Sequence, residues 1–159
     1  MNPCPCGQWG NPKANCFCSP DKISRYLGKI SAPLLDRIDM QITVQPLSEH
    51  ELIAPHNSAD RTSASLRKKV EELRLHQWNR QGCINAHLGA KECEAVAALG
   101  HKEREFLSLA LSRLKLSARA YHRLLKVART IADIHNSEKV DLAALQQALA
   151  FKQTLQLPR

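Results

Sequence analysis

The second half of the chain repeats apolar residues with the period of an α-helix. Leu66, Val70 and Leu73 recur at spacings of four and three residues between charged side chains, which predicts a helix over residues 62–81. Apolar residues also predict helices over residues 101–115 and 118–135, and the flanking glycines and the cap residue Asp141 predict two more, over residues 90–99 and 142–151. From about residue 60 onward the chain is therefore expected to contain only helices and their connections.

The first half opens on a segment in which proline, glycine and cysteine dominate. This composition predicts a loop over residues 1–19 rather than a helix or a strand. Ser19 and Pro20 are typical of the N-cap and the first position of a helix, and Gly28 is expected near its end. Because a free-standing domain seldom begins on such a loop, we expect a further portion of protein to precede it.

Residues 40–44 alternate apolar and polar side chains, which predicts a single β-strand that ends at Pro46. The polar residues 46–60, which include two prolines, predict a linker or a domain boundary. The expected fold is therefore mainly α, with two domains over residues 1–50 and 51–159. The first domain contains the loop, short helices and the single strand, and the second is a helical bundle.

The composition supports a folded, helix-rich protein and excludes several other classes. Of the 159 residues, 43% are hydrophobic and 24% are charged, as in globular proteins, while only 4% are aromatic. No run of 18 apolar residues predicts a membrane span, and the N-terminus lacks the basic and apolar regions of a secretory signal. We therefore predict a cytoplasmic protein whose six cysteines serve as thiols or thiolates.

The net charge of +8 is distributed unevenly along the chain. Residues 61–159 carry eighteen basic and nine acidic side chains, whereas residues 1–60 carry five basic and six acidic ones. A basic half favours a polyanionic partner such as DNA, but charges spread over a whole domain are equally typical of a solvated surface. Charge alone leaves these two interpretations open.

Four of the cysteines form two close pairs in the opening loop. Cys4 and Cys6 are separated by one residue, as are Cys16 and Cys18, and nine residues separate the two pairs. Four thiolates in this arrangement predict a tetrahedral site for Zn²⁺. The alternative is a loop with four reduced thiols, because structural zinc sites more commonly use the C-x-x-C spacing. The other two cysteines lack such partners and are expected to be small core residues.

The helix predicted over residues 118–135 has an apolar face and a basic face. The basic face contains Arg119, Arg123, Lys126 and either Arg129 or Thr130. Arg123 and Lys126 are candidate DNA contacts, although a basic stripe is more often simply the solvated face of a helix. Arg119 stands in the first turn, where the helix dipole disfavours positive charge, so it is a candidate for binding a phosphate.

Arg37 is a second candidate for phosphate binding. It lies between Asp36 and Asp39 in the short segment Leu-Leu-Asp-Arg-Ile-Asp. Either the two aspartates neutralise it, or it is a rigid guanidinium directed at a phosphate of a partner. The sequence contains no G-x-x-x-x-G-K-[ST] motif, so this chain alone is not expected to hydrolyse ATP.

Three segments, taken together, resemble one protein family. They are MNPCPCG at residues 1–7, CFCSPDKISRYLGKISAPLLDRIDM at residues 16–40 and LSARAYHRLLKVARTIADI at residues 116–134. This combination resembles the C-terminal part of the magnesium-chelatase-like AAA+ ATPases, the family of the ComM and YifB bacterial competence proteins. The resemblance covers nearly the whole chain.

This resemblance implies a role for each of three residues. Asn2 resembles sensor 1, which orients the attacking water beside the γ-phosphate, and Arg37 resembles the arginine finger, which reaches ATP on the neighbouring subunit. Arg119 resembles sensor 2, which reports the bound nucleotide to the helical lid. Residues 1–50 then correspond to the end of the AAA+ α/β core, with the predicted strand as its last strand, and residues 51–159 correspond to the lid.

The family also implies cofactors, partners and an activity for the full-length protein. It implies ATP with Mg²⁺, a homo-oligomer that is a hexamer when complete, and ATP-driven branch migration or helicase action on DNA during natural transformation. Two other functions remain open at this point. One is a nonenzymatic, zinc-containing module that binds nucleic acid, and the other is a domain that only assembles subunits.

Overall fold

The computed structural model describes residues 1–11, 13–44, 46–53 and 62–152, which form eight α-helices and one 3-10 helix and contain no β-strand. The α-helices are α1 (Pro20–Leu27), α2 (Ala32–Leu35), α3 (Glu49–Ile53), α4 (Ser63–Gln81), α5 (Ala90–Ala97), α6 (His101–Leu114), α7 (Ala118–Ile134) and α8 (Leu142–Ala150). The 3-10 helix Asn85–His87 lies between α4 and α5. The prediction of a mainly α fold is confirmed. None of the described helices has the length and apolar character that a membrane crossing requires.

The hydrophobic core of residues 62–152 is built around α7, which packs mainly against α5 and α8. The apolar face predicted for α7 is buried, and Leu124, Leu125 and Ala128 are at most 1% exposed. Leu107 of α6 and Leu145 of α8 complete the same cluster. Because each fully buried leucine contributes about 1.5–3 kcal/mol, this cluster is the main source of stability for the bundle.

Side-chain caps hold the beginnings of the helices where the sequence predicts them. The Ser117 hydroxyl accepts a hydrogen bond from the Ala120 N–H at 3.1 Å, and the Asp141 carboxylate accepts one from the Ala144 N–H at 2.8 Å. These bonds satisfy backbone donors that have no partner within the helix. The position at which α7 begins is therefore determined by its own cap residue, and this also fixes the backbone position of Arg119 in the first turn.

The prediction of a β-strand over residues 40–44 is wrong, because these residues have no strand conformation. A strand requires a neighbouring strand that accepts and donates its ladder hydrogen bonds, and the described residues contain none. The Gln41 N–H instead donates to the carbonyl of Phe151, at the end of α8, over 2.8 Å. The alternation of apolar residues is real, but Ile42 and Val44 are exposed.

Part of the predicted linker is helical. Residues 46–60 were expected to form a boundary, yet α3 occupies part of this segment. The end of the predicted linker, residues 54–60, lies outside the described residues. The sequence places prolines at positions 46 and 55, on either side of α3, and a proline disfavours the interior of a helix, so only a short helix fits between them.

A buried ion-pair cluster joins α4 to α7. The Asp133 carboxylate accepts hydrogen bonds from Arg80 of α4 and from Arg129, whose Nη2 lies 2.7 Å away. Arg129 is only 1% exposed, so the alternative that placed it on the solvated face of α7 is wrong, and Thr130 is the better choice. A charge is tolerated in the core here because the carboxylate and the carbonyls of Ser137 and Glu138 surround the guanidinium.

Candidate functional site

The opening loop brings the four paired cysteines together. The Gly7 N–H donates to the Cys4 carbonyl at 3.0 Å, which closes a tight turn, and the φ of 79° at Gly7 is in the left-handed region that favours glycine. The Sγ atoms of the four residues all lie within 4.8 Å of one another; the residues are Cys4, Cys6, Cys16 and Cys18. The loop therefore places four soft ligands around a single point.

The separations between the sulfurs of Cys4, Cys6 and Cys16 are close to those of a tetrahedral metal centre. The Cys4 Sγ lies 3.3 Å from that of Cys6 and 3.7 Å from that of Cys16, and 3.6 Å separates Cys6 from Cys16. A Zn–S bond of about 2.3 Å gives a tetrahedron whose sulfurs are about 3.8 Å apart. The Trp9 N–H donates to the Cys4 Sγ at 3.3 Å, which is the kind of hydrogen bond that orients a metal-bound thiolate.

The acidities of these thiols also fit a cation. Burial raises the pKa of Cys4, but hydrogen bonds from the Cys6 thiol and the Trp9 N–H outweigh burial and lower the pKa to about 6. At Cys16 a hydrogen bond from the Cys18 N–H lowers the pKa. Burial and the thiols of Cys6 and Cys4 together outweigh this effect and raise the pKa to about 12. The cluster thus favours one thiolate, at Cys4, and disfavours the loss of a further proton at Cys16. A divalent cation at the centre removes this opposition, and the residues present therefore fit Zn²⁺.

The turn that contains Arg37 is attached to the N-terminal half of α7. The Ser117 hydroxyl donates to the Asp36 carboxylate at 2.9 Å, and Arg123 donates both to the backbone carbonyl of Arg37 and to the Asp39 carboxylate, the latter at 2.6 Å. The Arg37 side chain is exposed and its guanidinium forms no ion pair with any described residue. Neither flanking aspartate forms an ion pair with Arg37, because Asp36 accepts from the Ser117 hydroxyl and Asp39 pairs with Arg123.

Arg37 and Arg119, two of the three residues predicted to act on the nucleotide, both lie at the N-terminal end of α7 or in the turn bound to it. Arg119 is the second residue of α7, two positions after the N-cap Ser117 that holds the Arg37 turn, and its side chain is exposed. Asn2 lies in the cysteine loop, where its side-chain nitrogen stands 3.6 Å from the position of a Cβ on Gly7. Among the described residues, Asn2 therefore lies against Gly7 of the cysteine loop and forms no hydrogen bond with either arginine.

The two residues predicted to contact DNA are engaged within the chain. Arg123 holds the Arg37 turn, and the Lys126 ammonium donates to the carbonyl of Ala86 in the 3-10 helix at 3.0 Å. Both line a cleft of about 490 Å³ between α7, the end of α8 and the segment at Met40. Their proposed contact with DNA stays a prediction, and it requires these cations to serve two partners at once.

The buried ion-pair cluster is a feature that the sequence pattern did not reveal. Burial alone would raise the pKa of Asp133, but hydrogen bonds from Arg80, Arg129 and Asn85 outweigh burial and hold it below its usual range. The available signal was an aspartate at the i+4 position from an arginine on a helix face. Its partner Arg80 lies 53 residues earlier in the chain, so the sequence alone could not pair the two.

Comparisons with known proteins cover nearly the whole chain. Residues 60–152 match the family described as "Magnesium chelatase, subunit ChlI C-terminal", and residues 1–52 match "Magnesium chelatase, subunit ChlI". The chain is 42% identical over 159 residues to the Competence protein ComM of Haemophilus influenzae, covering 99% of this chain and 30% of that protein. It is 37% identical over 153 residues to the uncharacterized protein YifB of Salmonella typhimurium, covering 96% of this chain and 29% of that protein. The chain thus spans about 30% of the length of these relatives.

Proposed function

Because this chain belongs to the magnesium chelatase ChlI family, we propose that it supplies arginine side chains to the ATP sites of a homo-oligomeric AAA+ ATPase. In this assembly Arg37 reaches the ATP of the neighbouring subunit and Arg119 contacts the nucleotide of its own subunit. Asn2 orients the attacking water. ATP and Mg²⁺ bind to a P-loop that the sequence of this chain does not contain.

The observation that carries this proposal concerns Arg37, whose backbone is held by hydrogen bonds while its guanidinium forms no ion pair within the described part of the chain. Three hydrogen bonds from α7 hold its turn, and they use Asp36, Asp39 and the Arg37 carbonyl rather than the guanidinium. An arginine whose backbone is held while its planar fork is exposed is preorganised to bind an oxygen anion outside its own subunit. Such a group beside a γ-phosphate is worth about 10³–10⁵ in the rate of hydrolysis.

We further propose that the assembly is a hexamer that moves DNA strands in the cytoplasm, by branch migration or helicase action. Two observations support DNA as the substrate. Residues 61–159 carry twice as many basic as acidic side chains, eighteen against nine. In addition, one relative that is 42% identical is named a competence protein. The hexamer is what the resemblance to the AAA+ ATPases implies, and in such a ring the proposed finger of one subunit would serve the next.

The test is a chimera in which this chain replaces the matching 30% of the Haemophilus influenzae relative. We expect Arg37→Ala to reduce ATP hydrolysis by about 10³-fold or more while nucleotide binding and assembly are unchanged. Arg113→Ala, on the exposed surface of α6, is the matched control and leaves hydrolysis intact. DNA-stimulated hydrolysis and strand displacement by the unmodified chimera test the substrate.

A mixing experiment separates action across subunits from action within one subunit. Rings assembled from Arg37→Ala subunits and from P-loop-deficient subunits are expected to recover part of the activity, because some interfaces then have both an intact P-loop and an intact finger. If mixtures stay inactive although both variants assemble, Arg37 does not act in trans. If Arg37→Ala hydrolyses ATP at the normal rate, the finger assignment is wrong.

A second candidate function, zinc binding, is favoured by the sulfur geometry. We propose that Cys4, Cys6, Cys16 and Cys18 together hold one Zn²⁺ per chain, as a structural centre for the loop that carries Asn2. Elemental analysis of protein purified without chelator is expected to find about one zinc per chain, and Cys16→Ser to lose most of it. Cys83→Ser, outside the cluster, is the control. Folded protein with less than about a tenth of a zinc per chain contradicts the proposal.

A further inference from the structure

Phe17 has an exposure that packing within the chain does not explain. Its side chain is 91% exposed, which is the largest value among the big apolar residues that the structure describes. It lies between Cys16 and Cys18, whose sulfurs both turn toward the cysteine cluster. The residue between them is thereby left on the outside of the loop, directed into solvent.

The cysteine cluster gives this ring a fixed support. Cys16 Sγ lies 3.7 Å from Cys4 Sγ and 3.6 Å from Cys6 Sγ, so the backbone on one side of Phe17 is tied to the turn at Gly7. On the other side, Ser19 caps α1. A side chain whose backbone is restrained in this way reaches a partner with little loss of backbone freedom on binding.

The segment of the chain that carries Phe17 is basic in sequence. Residues 1–35 contain four basic side chains and a single acidic one, Asp21. All four basic side chains are exposed; they are Lys13, Lys22, Arg25 and Lys29. A partner that matches this surface must offer negative charge and a flat apolar face at the same time, which is the chemistry of an unpaired nucleotide.

We infer that Phe17 stacks on a base of single-stranded nucleic acid while exposed cations of the same segment contact its phosphates. The single strand is favoured over the duplex because bases within a duplex already stack on each other and do not offer a free face. This inference rests on the proposed function, in which the protein acts on DNA, and assigns a contact to the cysteine loop rather than to α7.

The experiment measures binding of the full chain to a fluorescein-labelled dT15 oligonucleotide by anisotropy at low salt. Stacking on one aromatic side chain is worth enough that Phe17→Ala is expected to weaken binding by between about 5-fold and about 150-fold. Phe17→Trp should retain the affinity and show quenched indole fluorescence on binding. Val44→Ala, which alters another exposed apolar residue at 86% exposure, is the matched control and should leave binding unchanged.

A second series separates stacking from charge. Lys22→Ala is expected to weaken binding to dT15 and to a hairpin duplex alike and to reduce the slope of affinity against salt. Phe17→Ala should instead affect dT15 much more than the duplex and leave the salt slope unchanged. Circular dichroism checks that each variant is folded. Folding is expected to be retained because the side chains of Phe17 and Lys22 are both exposed.

Three outcomes overturn the inference. One is equal affinity of Phe17→Ala and the unmodified chain for dT15, and another is the absence of any binding to dT15 at low salt. The third is self-association that Phe17→Ala abolishes, which would assign the ring to an interface between copies of this chain. Each of these leaves the ATPase result of the chimera unaffected, whereas failure of the Arg37 test with normal dT15 binding overturns only the nucleotide role.

Discussion

The helical bundle and the N-terminal part of the chain are held together by different means. In residues 62–152 a continuous apolar cluster surrounds α7, whereas before residue 54 only Cys4 and Ile23 are buried among the described residues. The N-terminal part instead relies on its thiol cluster and on polar contacts with α7 and the end of α8. The candidate chemistry is therefore concentrated where apolar packing is weakest, and the bundle serves as its support.

The largest change in stability is expected from breaking the buried ion pairs. Asp133→Ala leaves the Arg129 guanidinium buried without its carboxylate and should cost about 3–5 kcal/mol in the free energy of unfolding, measured with urea. Asp21→Ala, at an exposed position in α1, is the control. A cost below about 1 kcal/mol would show that the cluster is not what attaches α4 to the bundle.

The same cluster predicts the direction of a pH effect. The pKa of Asp133 is held below its usual range in the folded chain, so its stabilising contribution is present above the unfolded pKa and is lost as pH falls through the lower folded value. Between about pH 4 and pH 2 the free energy of unfolding should fall more steeply in the unmodified protein than in Asp133→Asn. Parallel curves would contradict this assignment.

Removal of a core leucine tests the apolar side of the comparison. Leu125→Ala is expected to destabilise the bundle by about 2–5 kcal/mol, because the side chain is fully buried and leaves a cavity. Leu66→Ala, on the half-exposed part of α4, should cost much less in the same denaturant titration. Equal costs at the two positions would mean that the bundle packs along the whole of α4.

Ser117 connects the two regions, so its substitution should affect both the stability of the bundle and the position of the Arg37 turn. Ser117→Ala removes the cap of α7 and the hydrogen bond to Asp36, at an expected cost of about 0.5–2 kcal/mol. In the chimera it should also lower ATP hydrolysis, because the Arg37 turn loses one of its attachments. Ser112→Ala, within α6, is the control for the loss of a hydroxyl. Unchanged hydrolysis would show that Arg123 alone suffices.

The smallest effect on the bundle is expected from metal removal. Trp9 lies in the cysteine loop and Trp78 in α4, so single-tryptophan variants report each region separately. A chelator should change the emission of Trp9 in a Trp78→Phe chain and shift the melting of the helical circular-dichroism signal by no more than about 1 °C, since the bundle core does not include the loop. A chelator that lowers helix melting strongly would make the two regions one cooperative unit.

The sequence predicted the elements whose signals are local. The helices of the bundle follow from the spacing of their apolar residues and from caps such as Ser117 and Asp141, and both signals lie within a few residues of the element. The convergence of the four cysteines also followed from spacing. The strand over residues 40–44 and the exposure of Arg129 were wrong because each depends on a partner that the pattern does not contain.

The candidate site shows the same limit. Arg37 and Arg119 could be singled out from the sequence, but their attachment to one helix depends on contacts between residues more than 80 positions apart, such as Ser117 with Asp36. The role of Arg123 was missed for this reason, since a basic residue on a helix face carries no sign of the carbonyl that it will bind. Long-range hydrogen bonds leave no periodic trace in the sequence.

The bridge from Arg123 to the Arg37 carbonyl has a mechanical consequence. It attaches the Arg37 turn to the N-terminal end of α7, which is also the end that carries Arg119. Under the proposed roles, one of these arginines senses the nucleotide of its own subunit and the other acts on that of the next. A tilt of this single helix would then displace both at once, so that the state of one ATP is passed to its neighbour around a ring without any intermediate linkage.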